Sequence, residues 1–443
     1  MLGRTESGRG HDGLPGRRRG LPRRFYVVTL GRAVSALGDG FGQLALLWVF
    51  VAQRGETGVY ALALAVAGVI GVVMGPVAGA LADRAARRSL LLATEAARTV
   101  LWSVTAWAVA TSRLGGAALV AQSVATALLA AFYSPGIRLW LAADVPKESL
   151  VAANALSTLV LRVSSLVGPL IAGVVLEWGG VGLALSLNAV SFAVSATSIA
   201  LGVSAAAPPD QPDRVRGRPR PTALLVEVRL GLARVVRDPS LSSLVIGSAG
   251  VNLCLAAFLF ALPLFAVRTL HASPVALAVL NGALDAGVIV GSLWLTGRTR
   301  VSVDGTRVPK GLPSLGRIVI ALGGFIAAMA AARGVPDAAV LMLLYGVAVA
   351  HSAATIEFLY QTAVPQSVRG RVMGVSSSLG SALQPVGTAL GGTIATAPSS
   401  RLLLAALGGV CALLGTWWTR SEASRRNKTR GGPTPPLSSQ STV

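Results

Sequence analysis

A few ionisable side chains of this 443-residue chain lie inside long apolar stretches. They are Asp39, Arg162, Asp285, His351 and Glu357. A charged group is costly to bury in hydrocarbon, so it is retained there mainly where it binds a proton, an ion or another polar group. These five residues are therefore the first candidates for proton exchange or for binding a charged part of a substrate.

The composition indicates that these residues lie in a membrane protein. Hydrophobic residues make up 53% of the chain, charged residues 13%, and the mean hydropathy is +0.66. A hydrocarbon core of about 30 Å needs about 20 apolar residues per helix. That length predicts twelve spans, at 26–52, 58–82, 90–111, 115–135, 154–177, 180–203, 241–267, 273–297, 314–333, 337–361, 372–396 and 400–420.

The net charge of +21 does not indicate nucleic-acid binding, because the basic residues punctuate the apolar blocks instead of forming a separate soluble surface. With an internal N-terminus, all but five of the 39 Lys and Arg residues fall in cytoplasmic segments. The five outer residues are Arg54, Arg113, Arg268, Arg333 and Arg401. The positive-inside rule therefore predicts a multi-pass protein of the cell membrane with both termini in the cytoplasm.

The first span carries a polar stripe. Arg32, Ser35, Asp39 and Gly42 follow the helical period, with Gln43 beside them, so this face points away from lipid. Asp39 is the leading candidate for proton exchange or cation binding. The alternative is a structural pair between Asp39 and Arg32.

The C-terminal half contributes three further candidates. Asp285 shares a helix face with Asn281 and Ser292, so it either takes part in ion coupling or hydrogen-bonds between the halves. Glu357 lies in the inner third of the tenth span and is a candidate cavity residue. His351 is either a proton relay or, as is more common, a hydrogen-bonded structural histidine.

Arginines in the N-terminal half allow two interpretations. Arg162 either extends to the inner membrane surface or faces the cavity, where it would attract anionic groups. Glu95 and Arg98 are three residues apart at the start of the third span. Their spacing predicts a plain ion pair at the membrane interface.

The chain divides into five segments. A basic tail (1–24), a six-helix bundle (25–203), a linker with an amphipathic helix (204–240), a second six-helix bundle (241–420) and a disordered tail (421–443) are expected. Pro146 and Pro365 lie about half a chain length apart, and so do Pro169 and Pro385. This weak repetition favours two parallel, pseudo-symmetric halves.

The segment "GALADRAARR" resembles the loop between helices 2 and 3 of the major facilitator superfamily, through Gly79, Asp83, Arg84, Arg87 and Arg88. The chain departs from that motif at Ala86, where the family has Gly. The resemblance implies an all-α membrane protein with twelve transmembrane helices in two bundles and a central cavity lined by helix 1. It also implies that the loop is a latch, in which Asp83 accepts hydrogen bonds from the N-terminus of helix 11 and stabilises the outward-open state. The simpler alternative is a basic anchor on the inner surface.

A second resemblance concerns the fifth span, where Gly168, Pro169 and Gly173 are similar to the Gly-Pro motif of the antiporter branch. The segments "RAVSALGDGFGQLAL" and "RGRVMGV" resemble macrolide-efflux and enterobactin-exporter proteins. These resemblances imply an efflux antiporter. A proline kink needed only for helix packing is the alternative.

We therefore expect a secondary active transporter that exports an amphipathic small molecule, such as a drug, natural product or siderophore, in exchange for protons. An importer or uniporter with the same fold, or a non-transporting scaffold or receptor, is the alternative. The sequence contains no nucleotide-binding loop of the Gly-x4-Gly-Lys-Ser/Thr type and no metal-ligand pattern. Cys254 and Cys411 are predicted to be core residues. We therefore expect neither an enzyme nor a metal site. The expected energy source is the proton gradient, with no cofactor. The expected partners are the substrate and the bilayer, around a monomer.

Overall fold

The computed structural model describes residues 21–82, 86–146, 149–204, 233, 235–301, 307–309, 314–364, 366–396 and 400–430. These residues form twelve helices. They are α1 (Arg23–Leu47, followed by a π-helical turn, Trp48–Gln53), α2 (Thr57–Ala82), α3 (Arg87–Ala110), α4 (Gly116–Asp144), α5 (150–179), α6 (181–202), α7 (Pro239–Thr269), α8 (Pro274–Arg298), α9 (Leu315–Met329), α10 (Val335–Ala363), α11 (Gln366–Thr396) and α12 (Ser400–Arg430).

Helices α5 and α6 form one helical stretch, Leu150–Gly202, that is broken at Gly180. The backbone of Gly180 has φ 74° and ψ 177°, a conformation that only glycine adopts without strain. The chain therefore turns there without an intervening loop. The separate spans predicted at 154–177 and 180–203 correspond to the two sides of this break.

Eight helical stretches in the described chain are long and apolar enough to cross a membrane, and one of them, Ala152–Gly202, contains both α5 and α6. Helices α3, α9 and α11 are the remaining three. Each of the twelve predicted spans matches one helix.

Helix α4 is longer than predicted, because it continues through Pro135 to Asp144 instead of ending at residue 135. Proline removes only one backbone donor, and the turns that follow are stabilised by packing. Ile137, Trp140 and Leu141 are buried there in a small core that also contains Phe25 and Leu91.

The connections differ from the prediction in three places. A short antiparallel hairpin, Thr299–Val301 paired with Arg307–Pro309, joins α8 to α9, so the described chain is not wholly helical. Residues 233 and 235–237 of the predicted amphipathic segment are helical, whereas 205–232 lie outside the described residues. Helix α12 extends to Arg430 into the segment predicted to be disordered, since Glu422, Ala423 and Arg425 are good helix formers.

The two halves use the same packing pattern. Helix α1 packs against α5 and α6 as α7 packs against α11 and α12, and α2 packs against α4 as α8 packs against α10. The halves meet through two equivalent pairs, α5 with α8 and α2 with α11. This correspondence agrees with the internal repeat that the sequence predicted.

Contacts between the halves concentrate at one end of the molecule. We call the end that holds residues 23, 86, 145, 149, 298, 315 and 430 the basic end, and the other the opposite end. At the opposite end, Arg268 Nη2 donates a hydrogen bond to Thr57 Oγ1 (2.8 Å) across the halves. Nearby, the rings of Tyr60 and Phe260 stack with centroids 6.1 Å apart.

The cleft between the halves opens toward the basic end. Leu30 and Phe41 lie on the same face of α1, eleven residues apart, yet Leu30 is 62% exposed and Phe41 only 8%. Helix α7 shows the same change, because Ile246 is 59% exposed while Ala257, eleven residues further along the same face, is buried. The π-helical end of α1 contacts α7 directly. These facing helices therefore touch near the opposite end and separate toward the basic end.

Candidate functional site

Asp39 lies on the face of α1 opposite to Leu30, because nine residues correspond to two and a half helical turns. Its half-buried side chain is within electrostatic reach of the Arg98 guanidinium on α3. In the described chain, no ion pair within 4.0 Å joins Asp39 to Arg32. Asp39 of the predicted polar stripe is therefore directed toward the N-terminal half, whereas Gln43 of the same stripe is exposed. Tyr26, Leu30 and Val34 form a second, apolar face of α1 that is also exposed.

Close packing fixes the orientation of α1. A Cβ on Gly40 would lie 2.8 Å from the Pro169 Cδ on α5, and one on Gly168 would lie 2.8 Å from the Leu37 carbonyl oxygen. On the other side, Gly38 approaches Ser191 and Asn188 of α6. With both flanks occupied, Asp39 is directed toward α3 and α4.

Glu95 and Arg98 form the ion pair that the spacing predicted, with Glu95 Oε1 and Arg98 Nη1 3.9 Å apart. Their burial inside the bundle differs from that of an ordinary ion pair on the protein surface. Glu95 is 0% exposed and Arg98 7% exposed. Sequence reasoning assigned them no function. The available signal was their position eight and eleven residues inside α3, too deep for a surface pair.

Polar groups from three other helices surround this ion pair. Tyr133 of α4 and Ser195 of α6 lie beside Glu95, and Arg98 is stacked over the rings of Tyr133 (4.8 Å) and Phe192 (5.3 Å). Asn188 of α6 is also fully buried. We call Asp39, Glu95, Arg98, Tyr133 and Ser195 the inner charge cluster.

Arg162 and Asp285 face each other across the two halves. Arg162 of α5 is exposed, Asp285 of α8 is half-buried, and their charges interact. They lie just on the basic-end side of the contact in which Leu170 of α5 packs against Gly282 of α8. Of the alternatives for Arg162, its attraction to Asp285 favours a residue that faces the cleft.

The other two candidates on α10 occupy different environments. His351 is buried, its Nδ1 lies 2.8 Å from the Val347 carbonyl oxygen, and its ring is 5.0 Å from that of Trp294. These contacts are those of a structural histidine. Glu357 is exposed, as is Gln43 on α1, and neither belongs to the inner charge cluster.

The loop between α2 and α3 is described in part. Gly79 lies within α2, whereas Asp83 and Arg84 lie outside the described residues. Arg87 Nη1 is 4.0 Å from Asp144 Oδ2, and Arg88 Nη2 donates a hydrogen bond to the Ala200 carbonyl oxygen (2.9 Å), both within the N-terminal half. Ala86 has φ −62° and ψ 115°, so replacing the family's Gly with Ala causes no backbone strain.

Gly173, the third member of the helix-5 motif, lies at the contact between the halves. A Cβ there would lie 2.8 Å from Ala278 Cβ and 2.9 Å from the Pro274 carbonyl oxygen on α8. Gly168 and Pro169 instead pack against α1. The motif therefore serves packing on both faces of α5, once within its half and once between the halves.

Cys254 of α7 and Cys411 of α12 lie side by side in the C-terminal core, which confirms that both are core residues. Both thiols are free and buried. Among the described residues, no group of three or more His, Cys, Asp or Glu side chains is arranged to hold a metal ion.

Comparison with known proteins agrees with this architecture. The chain is 28% identical over 409 residues to an uncharacterised MFS-type transporter, y4rN, of Sinorhizobium fredii, which covers 88% of this chain and 94% of that protein. It is 26% identical over 404 residues to the multidrug efflux pump Tap of Mycobacterium tuberculosis, covering 87% of this chain and 91% of the pump.

Solved structures share the fold at low identity. A bacterial homologue of the lysosomal transporter Spinster, inward-facing and occupied, superposes with a TM-score of 0.67 at 14% identity, over 93% of this chain and 98% of that one. An inward-facing bacterial homologue of ferroportin gives 0.64 at 16% identity, over 89% and 98%. The family profile described as Major Facilitator Superfamily matches residues 28–388. With twelve membrane-spanning helices in two six-helix halves around a cleft, this chain belongs to the Major Facilitator Superfamily of transporters.

Proposed function

We propose that this transporter exports amphipathic small molecules from the cell in exchange for protons, by alternating access of the cleft to the two sides of the membrane. The observation that carries the proposal is the difference between two faces of α1. One face of α1 is apolar and exposed (Tyr26, Leu30, Val34) and is the proposed contact surface for the cargo, and the opposite face carries Asp39 within electrostatic reach of Arg98. One helix thus separates a surface for organic cargo from a site for an ion.

The orientation follows from the distribution of arginine. Most Lys and Arg residues fall in the tails and connections that the predicted topology assigns to the basic end, and the positive-inside rule places that end on the cytoplasmic side of the membrane. A cleft open to the basic end is then open to the cytoplasm. That state is the one in which an exporter collects its cargo.

The surface of the cleft suits an amphipathic molecule. Exposed aliphatic and aromatic side chains of α1 provide apolar area, and Arg162 and Asp285 provide charges of both signs. Such pockets bind organic ligands through apolar contact and a few placed polar groups. The name of the relative Tap, a multidrug efflux pump, supports export and broad specificity over import.

Asp39 is the proposed proton-exchange residue. A carboxylate in this position is ionised when it pairs with Arg98 and neutral when it takes up a proton. The two states differ by a full charge inside the N-terminal half. That difference supplies the interaction needed to favour one conformation over the other.

The test is a resistance assay in a bacterial strain that lacks its own efflux pumps. We expect the wild-type chain to raise tolerance to at least one compound in a panel of drugs and siderophores. Asp39→Asn should abolish that tolerance and the drug-induced proton release in everted vesicles.

The matched control is Asp337→Asn, in the first turn of α10 at the opposite end, where Asp337 Oδ2 accepts a hydrogen bond from the Arg333 amide. This variant should behave like the wild type. Full tolerance and proton release by Asp39→Asn, at normal expression, contradict the proposal. Uptake of the cargo by intact cells would instead identify an importer.

A further inference from the structure

The inner charge cluster contains a second buried acid that the proposed export cycle leaves without a role. Glu95 lies on α3, which packs against α4 and α6 within the N-terminal half. Its side chain is completely buried. A carboxylate in this position is in contact with neither cargo nor lipid.

Hydrogen bonding around Glu95 is incomplete. The hydroxyls of Tyr133 and Ser195 are the hydrogen-bonding groups nearest to Glu95, but neither reaches Oε1 or Oε2 at a normal hydrogen-bond length. An ionised carboxylate is expensive to bury in this way. A protonated one has an O–H to donate, and two hydroxyl oxygens beside it are available to accept.

Arg98 is held in position although not all of its N–H groups donate hydrogen bonds. The rings of Tyr133 and Phe192 bind its guanidinium through cation–π contacts, and its Nε has no hydrogen-bond acceptor among the described residues. Its ion pair with Glu95, at 3.9 Å, is longer than a charge-assisted hydrogen bond. The guanidinium is therefore fixed in position but not committed to one carboxylate.

Asp39 competes with Glu95 for this guanidinium. The Asp39 carboxylate is attracted by Arg98 and repelled by Glu95. The third titratable member of the cluster is Tyr133 from α4, and it interacts with Arg32 from α1. Both acids thus interact with the same arginine.

We propose that Glu95 is a second proton-carrying residue and that Arg98 is the positioning residue that links it to Asp39. Arg98 pairs with whichever carboxylate is ionised. A proton moves between the two acids, Asp39–COOH and Glu95–COO⁻ becoming Asp39–COO⁻ and Glu95–COOH, with one O–H bond broken and one formed. This inference rests on the proposed function, in which Asp39 exchanges protons, and it extends the ion pathway behind α1.

The decisive measurement does not require a transported compound. Infrared difference spectra of the purified full-length protein, recorded across a pH change, show the C=O stretch of carboxyl groups that gain a proton. We expect Glu95→Gln to remove one such band, and the exposed control Glu177→Gln to leave it unchanged. Arg98→Gln should make Glu95 hold its proton about tenfold more tightly, because one positive charge is lost, whereas Arg98→Lys should largely preserve the wild-type titration.

A transport measurement separates this inference from the function it extends. In proteoliposomes, ethidium serves as an amphipathic probe. We expect Glu95→Gln to lose pH-gradient-driven flux on the order of tenfold while keeping ethidium counterflow, which needs no net proton movement. If the wild type shows no gradient-driven ethidium flux, the proposed function fails for this probe, and the infrared bands still decide the role of Glu95.

Identical carboxyl bands in the wild type and Glu95→Gln overturn the inference, as does full gradient-driven flux by Glu95→Gln. If Glu95→Gln does not fold, Glu95→Asp keeps the acid one methylene shorter. Its carboxyl band should then appear at a shifted position, and an unshifted spectrum would count against Glu95. A purely structural ion pair would change the thermal stability of these variants and leave every band in place.

Discussion

Arg162 and Asp285 are the charged residues that the two halves present to each other beside their contact. They lie on different helices of different halves, and their charges attract across the cleft. Because the halves move relative to each other during alternating access, an attraction of this kind favours the conformation in which the two residues are close. The pair therefore belongs to the energetics of the cleft as well as to its binding surface.

We predict that Arg162 and Asp285 are energetically coupled. Arg162→Gln or Asp285→Asn alone should lower export, and the charge exchange Arg162→Asp with Asp285→Arg should recover part of it. A double-mutant cycle of transport rates should give a coupling of about 1 kcal/mol, or roughly fivefold. Arg138→Gln, an exposed arginine of α4 that bonds only to its own helix, is the control. Strictly additive effects would show that the two residues act independently.

At the scale of the elements, α5 has a special position because it touches both halves. Gly168 and Pro169 pack against α1, which carries Asp39, and Gly173 packs against α8, which carries Asp285. A displacement of α8 relative to α5 is thereby connected to the helix that contributes Asp39 to the inner charge cluster. The packing interpretation of the Gly-Pro motif and a role in conformational change are both compatible with these contacts.

We predict that Gly173→Val disfavours the observed state, because the added side chain would overlap Ala278 and the backbone of α8. The readout is labelling of Leu30→Cys, on the exposed apolar face of α1 near the basic end, by an impermeant maleimide in inside-out vesicles, in a Cys254→Ser, Cys411→Ser background. Labelling should fall severalfold as the cleft closes to the basic end. Gly324→Val, where a Cβ meets no neighbouring atom, is the control. Unchanged labelling of the Gly173 variant would rule out this contact as a determinant of the conformation.

At the scale of the whole molecule, the two halves are joined near the opposite end by Arg268 with Thr57 and by Tyr60 with Phe260. Tyr60 and Phe260 belong to one cluster of buried apolar residues that contains side chains of both halves. The halves are therefore joined by apolar packing at this end, and alternating access has to separate these contacts each time the cleft opens to the other side.

We predict from the positive-inside rule that the basic end faces the cytoplasm. Reporter fusions at residues 86 and 220 should both give cytoplasmic signals, and fusions at residues 113 and 333 should give external signals. The four sites lie in connections on either side of the predicted spans. Fusions that place residues 86 and 220 on different sides of the membrane would contradict the twelve-helix topology itself.

The sequence by itself determined the transmembrane topology. Each span is a local property, since about 20 apolar residues form a helix in lipid whatever lies beside them. The helices accordingly match the predicted spans, apart from some of their ends. Helix α4, for example, continues beyond Pro135, where Ile137 and Trp140 are buried. The family resemblance was equally readable, because it rests on residues adjacent in the chain.

The tertiary structure alone decided what the charged residues face. The helical period placed Asp39, Arg32 and Gln43 on one stripe of α1. Which helices this stripe contacts depends on the close packing of α5 and α6 against α1 at Gly40, Gly168 and Gly38. Glu95 and Arg98 resembled a surface pair because spacing along one helix does not reveal depth within a bundle. The inner charge cluster and the pair of Arg162 with Asp285 join residues far apart in the chain, and only the packing of α1, α3, α4, α5, α6 and α8 brings them together.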